Sequence, residues 1–213
     1  VGLSTGTGDV ADPVIDPDMV ALFEEFLGKG SAQPCPHIFP TWPLAQPYHY
    51  VVRDTEQKGL CLHNGHLVAT SLQGVNAAQE GGCPGYDGGV GIPTHGCSHP
   101  PPLLVEPISV VPNRHLERQR CPLIVGIRGG SQALSCGTGP EPQLKLEEVT
   151  LLDLFSRGAE ATPYTFYKTF GGSTHTFESA AFPGRFLSTA PGPGEALALA
   201  APPAVTSFYL LRK

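Results

Sequence analysis

From Tyr48 onward, short runs of apolar residues alternate with polar ones, and glycine or proline stands in nearly every gap between runs. "YHYVVRDT" (48–55) is rich in β-forming residues. In "LCLHNGHLVAT" (60–70), Leu60 and Leu62 alternate with polar neighbours, Asn64-Gly65 follows, and Leu67 and Ala69 alternate again. An Asn-Gly pair between two alternating runs predicts a tight hairpin. Further short strands are expected at "ISVVP" (108–112), "PLIVGI" (122–127), "QALSC" (132–136), "QLKLEEV" (143–149), "YTFYK" (164–168), "THTFES" (174–179), "RFLST" (185–189), "ALALA" (196–200) and "SFYLLR" (207–212). Short strands with turn signals every ten residues or so define an all-β barrel or sandwich. "TLLDLF" (150–155) departs from this texture and predicts a single helical turn, with Gly158 just beyond it. A threefold rhythm of strand, turn and strand recurs as "LCLHNGHLVAT", "QALSCGTGPEPQLKLE" and "RFLSTAPGPGEALALA".

The first 47 residues read differently. Met19, Leu22, Phe23, Phe26 and Leu27 share one face at helical spacing, Asp16 can cap the segment, Pro17 suits its first turn and Gly28 its end. This predicts one short helix over 16–28. It can serve as a partner-binding or pro-segment helix, pack on its own domain, or stand as a marginal helix in a loose leader. Residues 29–47 carry five prolines and the only tryptophan, Trp42, and read as a linker. Residues 75–107 are dense in glycine and proline and are expected to form a long disordered loop. The organisation expected is a loosely ordered leader and linker over 1–47, then one domain over 48–213 interrupted at 75–107.

Composition narrows the function. The net charge is −6 and no basic stripe is present, which argues against nucleic acid as a partner. No run of 18 apolar residues exists, so membrane insertion is not expected. Residues 1–20 lack a cationic stretch followed by an apolar one, the form of a secretory signal. The six cysteines are widely spaced, which favours mostly free, buried thiols over a disulfide framework.

Catalytic patterns are missing. "GGSQ" (129–132) and "GGST" (171–174) lack the nucleophile elbow, and "GGVG" (88–91) lacks the strand and helix of a dinucleotide loop. Cys83, His95, Cys97 and His99 follow no trusted zinc spacing, and His63 and His66 flank a turn, where exposure alone explains them. Neither a metal nor a cofactor nor an enzymatic activity is expected. The aromatic residues Tyr164, Phe166, Tyr167 and Phe170 read as core and rim of a barrel.

One stretch carries a family likeness. "FESAAFPGRFLST" (177–189), with Leu197 beyond it, resembles the interleukin-1 family signature at Phe177, Ser179, Ala180, Pro183, Phe186, Leu187, Ser188, Thr189 and Leu197. "ISVVPNRHL" (108–116), "GIRGGSQALSCGTGPEPQLKLEEV" (126–149) and "YTFYK" look like the interleukin-36 branch. The likeness covers 48–74 and 108–213. Arg185 departs from the pattern, which usually has tryptophan there, so Arg185 must snorkel or face solvent.

The resemblance implies a β-trefoil of twelve short strands. It implies a monomeric extracellular ligand for an interleukin-1-receptor-family ectodomain, the interleukin-36 receptor first, released without a visible signal peptide and held in the cytoplasm before release. Within that branch the local likeness leans to a receptor antagonist, which holds the first receptor chain and leaves the accessory chain unrecruited. Agonists of the branch are trimmed after an Ala-x-Asp-like site, and 34–50 contains none. A pro-inflammatory agonist of the same receptor is the alternative. From another class, a non-cytokine trefoil would bind sugar or inhibit a protease.

Candidate contact residues fall in three places. Arg53, Asp54 and Glu56 flank the first strand turn. Arg114, His115, Glu117, Arg118 and Arg120 form a polar cluster after "SVVPN", and arginine is favoured at interface anchors. Pro202, Pro203 and Val205 lie in an uncharged loop before the last strand.

Overall fold

The computed structural model describes residues 16–28, 45–71 and 104–213. Cys83, His95, Cys97 and His99, whose spacing follows no zinc site, Trp42, and nearly all of the 75–107 loop lie outside the described residues.

Thirteen strand segments occur among the described residues: β1 (Tyr48–Asp54), β2 (Lys58–His63), β3 (His66–Ser71), β4 (Ile108–Pro112), β5 (Pro122–Ile127), β6 (Gln132–Ser135), β7 (Lys145–Glu147), β8 (Thr165–Phe170), β9 (His175–Ser179), β10 (Phe186–Ser188), β11 (Glu195–Ala196), β12 (Ala198–Ala200) and β13 (Phe208–Arg212). Two α-helices accompany them among the described residues, α1 (Pro17–Leu27) and α2 (Leu151–Arg157).

Six strands close a ring by antiparallel pairing: β1 with β4, β4 with β5, β5 with β8, β8 with β9, β9 with β13, and β13 back to β1. Three hairpins, β2–β3, β6–β7 and β10–β12, cover one end of this barrel. They are the three segments whose rhythm repeats in the sequence. The architecture is a β-trefoil. Twelve strands become thirteen segments because the last hairpin's return strand breaks at Leu197. Glu195 and Ala196 pair with β3, the Leu197 N–H donates to the Leu67 carbonyl at 2.8 Å while its side chain packs in the core, and Ala198–Ala200 then pair with β10.

Local chemistry explains the turns. Asn64 and Gly65 both have positive φ, 49° and 77°, as the tight hairpin between β2 and β3 requires. Pro183 and Gly184 form a turn closed by the Arg185 N–H donating to the Phe182 carbonyl at 3.1 Å, with Gly184 at φ 78°.

The core runs through the barrel axis. Val52, Leu60, Leu67, Val110, Leu123, Val125, Phe177, Leu187 and Phe208 are buried together, with the Phe177 and Phe208 rings 6.3 Å apart. A second cluster of Val111, Ile124, Ala133, Leu151, Leu154 and Ala161 lies under α2. That helix is longer than the single turn expected: the Thr150 hydroxyl caps it by accepting from the Asp153 N–H at 3.3 Å, and Gly158 ends it at φ 66°.

The short helix forms as its pattern predicts. The Asp16 carboxylate accepts from the Asp18 N–H, and Gly28 ends the helix. Of the readings left open for it, packing on its own domain is the one observed. Met19, Leu22 and Phe23 are buried in the same cluster as the barrel core. Residues 104–107, expected as the end of a disordered loop, are instead ordered against β2. Val105 bridges Cys61, and the Glu106 N–H donates to the Leu60 carbonyl at 2.8 Å.

Candidate functional site

β1 and β4 run antiparallel, so the β1–β2 turn and the β4–β5 connection lie at opposite ends of the barrel. The expected contact residues therefore divide into two faces.

The first face is at the hairpin-covered end, and Asp54 organises it. Asp54 is 0% exposed, so it is no contact residue but the brace beneath its neighbours. One carboxylate oxygen accepts from the Glu56 and Lys58 N–H groups, both at 2.9 Å. The other accepts from the Thr189 hydroxyl at 2.7 Å and faces the Lys58 ammonium at 3.4 Å. A buried charge is tolerated when it is paired and bonded this fully. Lys58 is buried too, which pulls its pKa down, but bonds and charges from Glu56 and Asp54 outweigh this and raise it. The Thr189 N–H donates to the Val205 carbonyl at 3.1 Å. One signature threonine thus ties the β1–β2 turn to the β12–β13 loop. Above this brace Glu56, Pro202 and Pro203 are exposed, and Arg53 and Val205 are half-buried.

The second face is at the open end. Asn113, buried, shapes the β4–β5 connection: its side-chain amide donates to the Thr165 hydroxyl at 2.9 Å and its carbonyl accepts from the His115 N–H at 2.9 Å. Arg114, His115, Glu117, Arg118 and Arg120 are all exposed. The Arg114 guanidinium lies 5.5 Å from the Phe155 ring centre and that of Arg120 lies 3.8 Å from Tyr167, while Arg120 also pairs with Glu178 at 3.0 Å. His115 packs over Gly158, where a Cβ would stand 2.1 Å from its ring nitrogen. Glycine is required at 158 by this approach as well as by its positive φ.

The signature residues are scaffold. Phe177, Leu187 and Leu197 line the core. The Ser179 hydroxyl donates to the Cys136 sulfur at 3.1 Å and accepts from the Phe182 N–H at 3.1 Å, and the Ala180 N–H donates to the Thr165 carbonyl at 2.9 Å. Phe186, Leu187 and Ser188 pair with Ala200, Leu199 and Ala198, and Pro183 makes the turn before them. Arg185 is exposed, which resolves its departure from the pattern in favour of solvent. Cys121 and Cys136 are free thiols, and burial pushes the Cys136 thiol up to about 11.

Residues not singled out from sequence complete the open end. Lys168, buried, pairs with Asp16 of α1, and Arg212 pairs with Asp18 at 3.4 Å. Burial raises the Asp16 carboxyl, but the Lys168 bond and charge outweigh that and hold it below its usual value. His175, beside them, is lowered to about 4, first by burial and then by the Lys168 charge. Among the described residues, no group of three His, Cys, Asp or Glu side chains is arranged to hold a metal ion.

A closed six-strand barrel with three covering hairpins is the fold of the β-trefoil cytokines. A crystal structure of a chicken interleukin-1 cavity mutant superimposes with a TM-score of 0.57 at 26% identity, covering 78% of this chain and 95% of that one. The family model for interleukin-1 / 18 matches residues 106–209. The human interleukin-36 receptor antagonist protein is 45% identical over 140 residues, covering 66% of this chain and 74% of that protein. Human interleukin-1 family member 10 is 32% identical over 171 residues, covering 78% and 94%. The chain belongs to the interleukin-1 family, one of cytokines and receptor antagonists rather than enzymes. The likeness to the interleukin-36 branch expected from "ISVVPNRHL" and its neighbours agrees with the first of these relatives.

Proposed function

We propose that the protein is a monomeric extracellular ligand of an interleukin-1-receptor-family ectodomain, the interleukin-36 receptor first, and that it acts as an antagonist. The observation that carries this reading is the 45% identity to a receptor antagonist over most of that protein's length. Two faces at opposite barrel ends suit a ligand gripped by more than one receptor domain. Arg53, Glu56, Pro202, Pro203 and Val205 present one, and Arg114, His115, Glu117, Arg118 and Arg120 the other. The Ala201–Ser207 loop has no charged side chain to hold an accessory chain. A cytoplasmic pool precedes release.

The test is interferometry of the full chain on immobilised interleukin-36 receptor ectodomain, with and without the accessory chain. Binding that gains nothing from the accessory chain is expected. A gain in affinity would make the protein an agonist, and absence of binding by folded protein would remove this receptor.

A further inference from the structure

The two barrel ends are closed by different means. The covered end is closed by hairpins that continue the barrel strands. The open end is closed by α1, whose chemistry is unlike that of the rim it sits on. Residues 16–28 contain Asp16, Asp18, Glu24 and Glu25 and no lysine or arginine. The rim supplies Arg118, Arg120, Lys168 and Arg212. Asp16 meets Lys168, Asp18 meets Arg212 at 3.4 Å, and Glu25 accepts from the Tyr48 hydroxyl at 2.9 Å. Between these polar contacts the apolar stripe enters the mouth. Leu22 is fully buried, Phe23 lies under the Arg118 guanidinium at 5.5 Å, and Phe26 meets Phe155 edge-on at 5.3 Å.

Among the described residues the seal is incomplete. A groove of about 950 Å³ remains between α1 and the rim, lined by Val20, Phe23, Arg118, Arg120, Tyr167 and Lys168. An 11-residue helix is marginal alone, so α1 owes its order to this contact. Residues 29–44 separate it from the first described residue of the barrel, Ala45. Sixteen residues span up to ~50 Å when extended, enough for α1 to leave the mouth while tethered.

We propose that the barrel mouth is an acceptor site for an acidic amphipathic helix carrying phenylalanine and leucine on one face, and that α1 is its displaceable intramolecular occupant. A partner helix of the same chemistry reaches the mouth when α1 lifts. Tethering gives α1 an effective concentration on the order of millimolar, so a free helix competes poorly against the resting chain. This inference does not rest on receptor binding, and its test involves no receptor.

The probe is a fluorescein-labelled peptide of residues 16–28, titrated against the full chain and against full-length Leu22→Glu/Phe23→Glu, which evicts the chain's own α1. The peptide should bind the evicted variant at least ten-fold more tightly than the native chain. A peptide carrying Asp16→Lys and Asp18→Lys should lose at least ten-fold, and added salt should weaken the native peptide. An evicted variant that unfolds cooperatively yet takes no peptide would overturn the proposal, as would equal binding of the charge-reversed peptide. If the double variant does not fold, full-length Asp16→Lys/Asp18→Lys serves instead. Faster hydrogen exchange across 17–27 with unchanged exchange in β5 and β8 is expected there, and uniform protection would overturn the reading. A concentration-dependent dimer of the native chain would assign α1 to a second copy and overturn the intramolecular assignment.

Discussion

The two ends of this barrel solve one problem differently. At the covered end, Leu60, Leu67, Leu134, Leu187 and Leu197 arrive on hairpins continuous with the barrel, and Asp54 locks turn to loop with four contacts from inside. At the open end, Leu22 and Phe23 arrive on a separate helix held by one buried ion pair, Lys168 with Asp16, and one at the surface, Asp18 with Arg212, each side chain of the latter more than two-fifths exposed. Exposed pairs contribute little, roughly 0–1 kcal/mol each. On the displaceable-helix proposal, equal burial does not mean equal cooperativity: one closure opens only with the fold, whereas the other opens by itself once the Lys168–Asp16 pair parts.

Asp54→Ala should have the largest effect. It removes one of the two carboxylates that face the buried Lys58 and leaves the Glu56 and Lys58 N–H groups and the Thr189 hydroxyl without their acceptor, so a loss of about 3–5 kcal/mol is expected from urea unfolding. Phe177→Ala, at the barrel axis, should cost a similar ~3–5 kcal/mol. A loss under 1 kcal/mol in either would mean that this end is not the rigid one.

Leu22→Ala removes an equally buried side chain at the other end. Its expected signature is local: amide exchange across 17–27 speeds up about ten-fold or more, while the urea midpoint shifts by less than ~1 kcal/mol-equivalent. A full 2–5 kcal/mol global loss, the usual cost of such a truncation in a cooperative core, would erase the distinction between the ends.

His175 gives the next effect. Its ring titrates near 6.5 when free and near 4 in the fold. The unfolded chain thus takes up more protons between those values, and stability is full above 6.5 and falls as pH drops toward 4. Thermal melts of the native chain should show that slope, and His175→Phe should flatten it; an unchanged slope would place the pH sensitivity elsewhere. Arg185→Trp should do least. Arg185 is exposed, so restoring the family's aromatic residue should move stability by no more than ~0.5 kcal/mol by calorimetry.

Much of the fold was legible because its determinants are local. Asn64-Gly65 fixes a hairpin within a few residues, and alternation in "YHYVVRD" or "FYLLR" marks strands wherever they pair. What joins β1 to β13, setting Val51 opposite Leu211, lies at the far end of the chain and leaves no local trace. The site was less legible for the same reason. Asp54, in "VVRDTEQ", reads as a surface turn acid, and its burial depends on Thr189, 135 positions away. The docking of α1 depends on Lys168 and Arg212, which stand in strands read only for their apolar neighbours. The acidity of 16–28 beside a cationic 114–120 was the available signal, and charge balance between distant segments is weaker than periodicity within one.

The connection from β3 to β4 leaves and returns beside a single strand. Ser71 pairs with Lys58 at the start of β2, and Val105 comes back against Cys61 three residues along it. Both gateposts are thus set by β2 itself, whatever passes between them. For a loop so anchored, doubling the length costs only ~0.6 kcal/mol in closure entropy. The gene can lengthen or shorten here without renegotiating the barrel, and a guest domain spliced between these posts would ride on the scaffold as cargo.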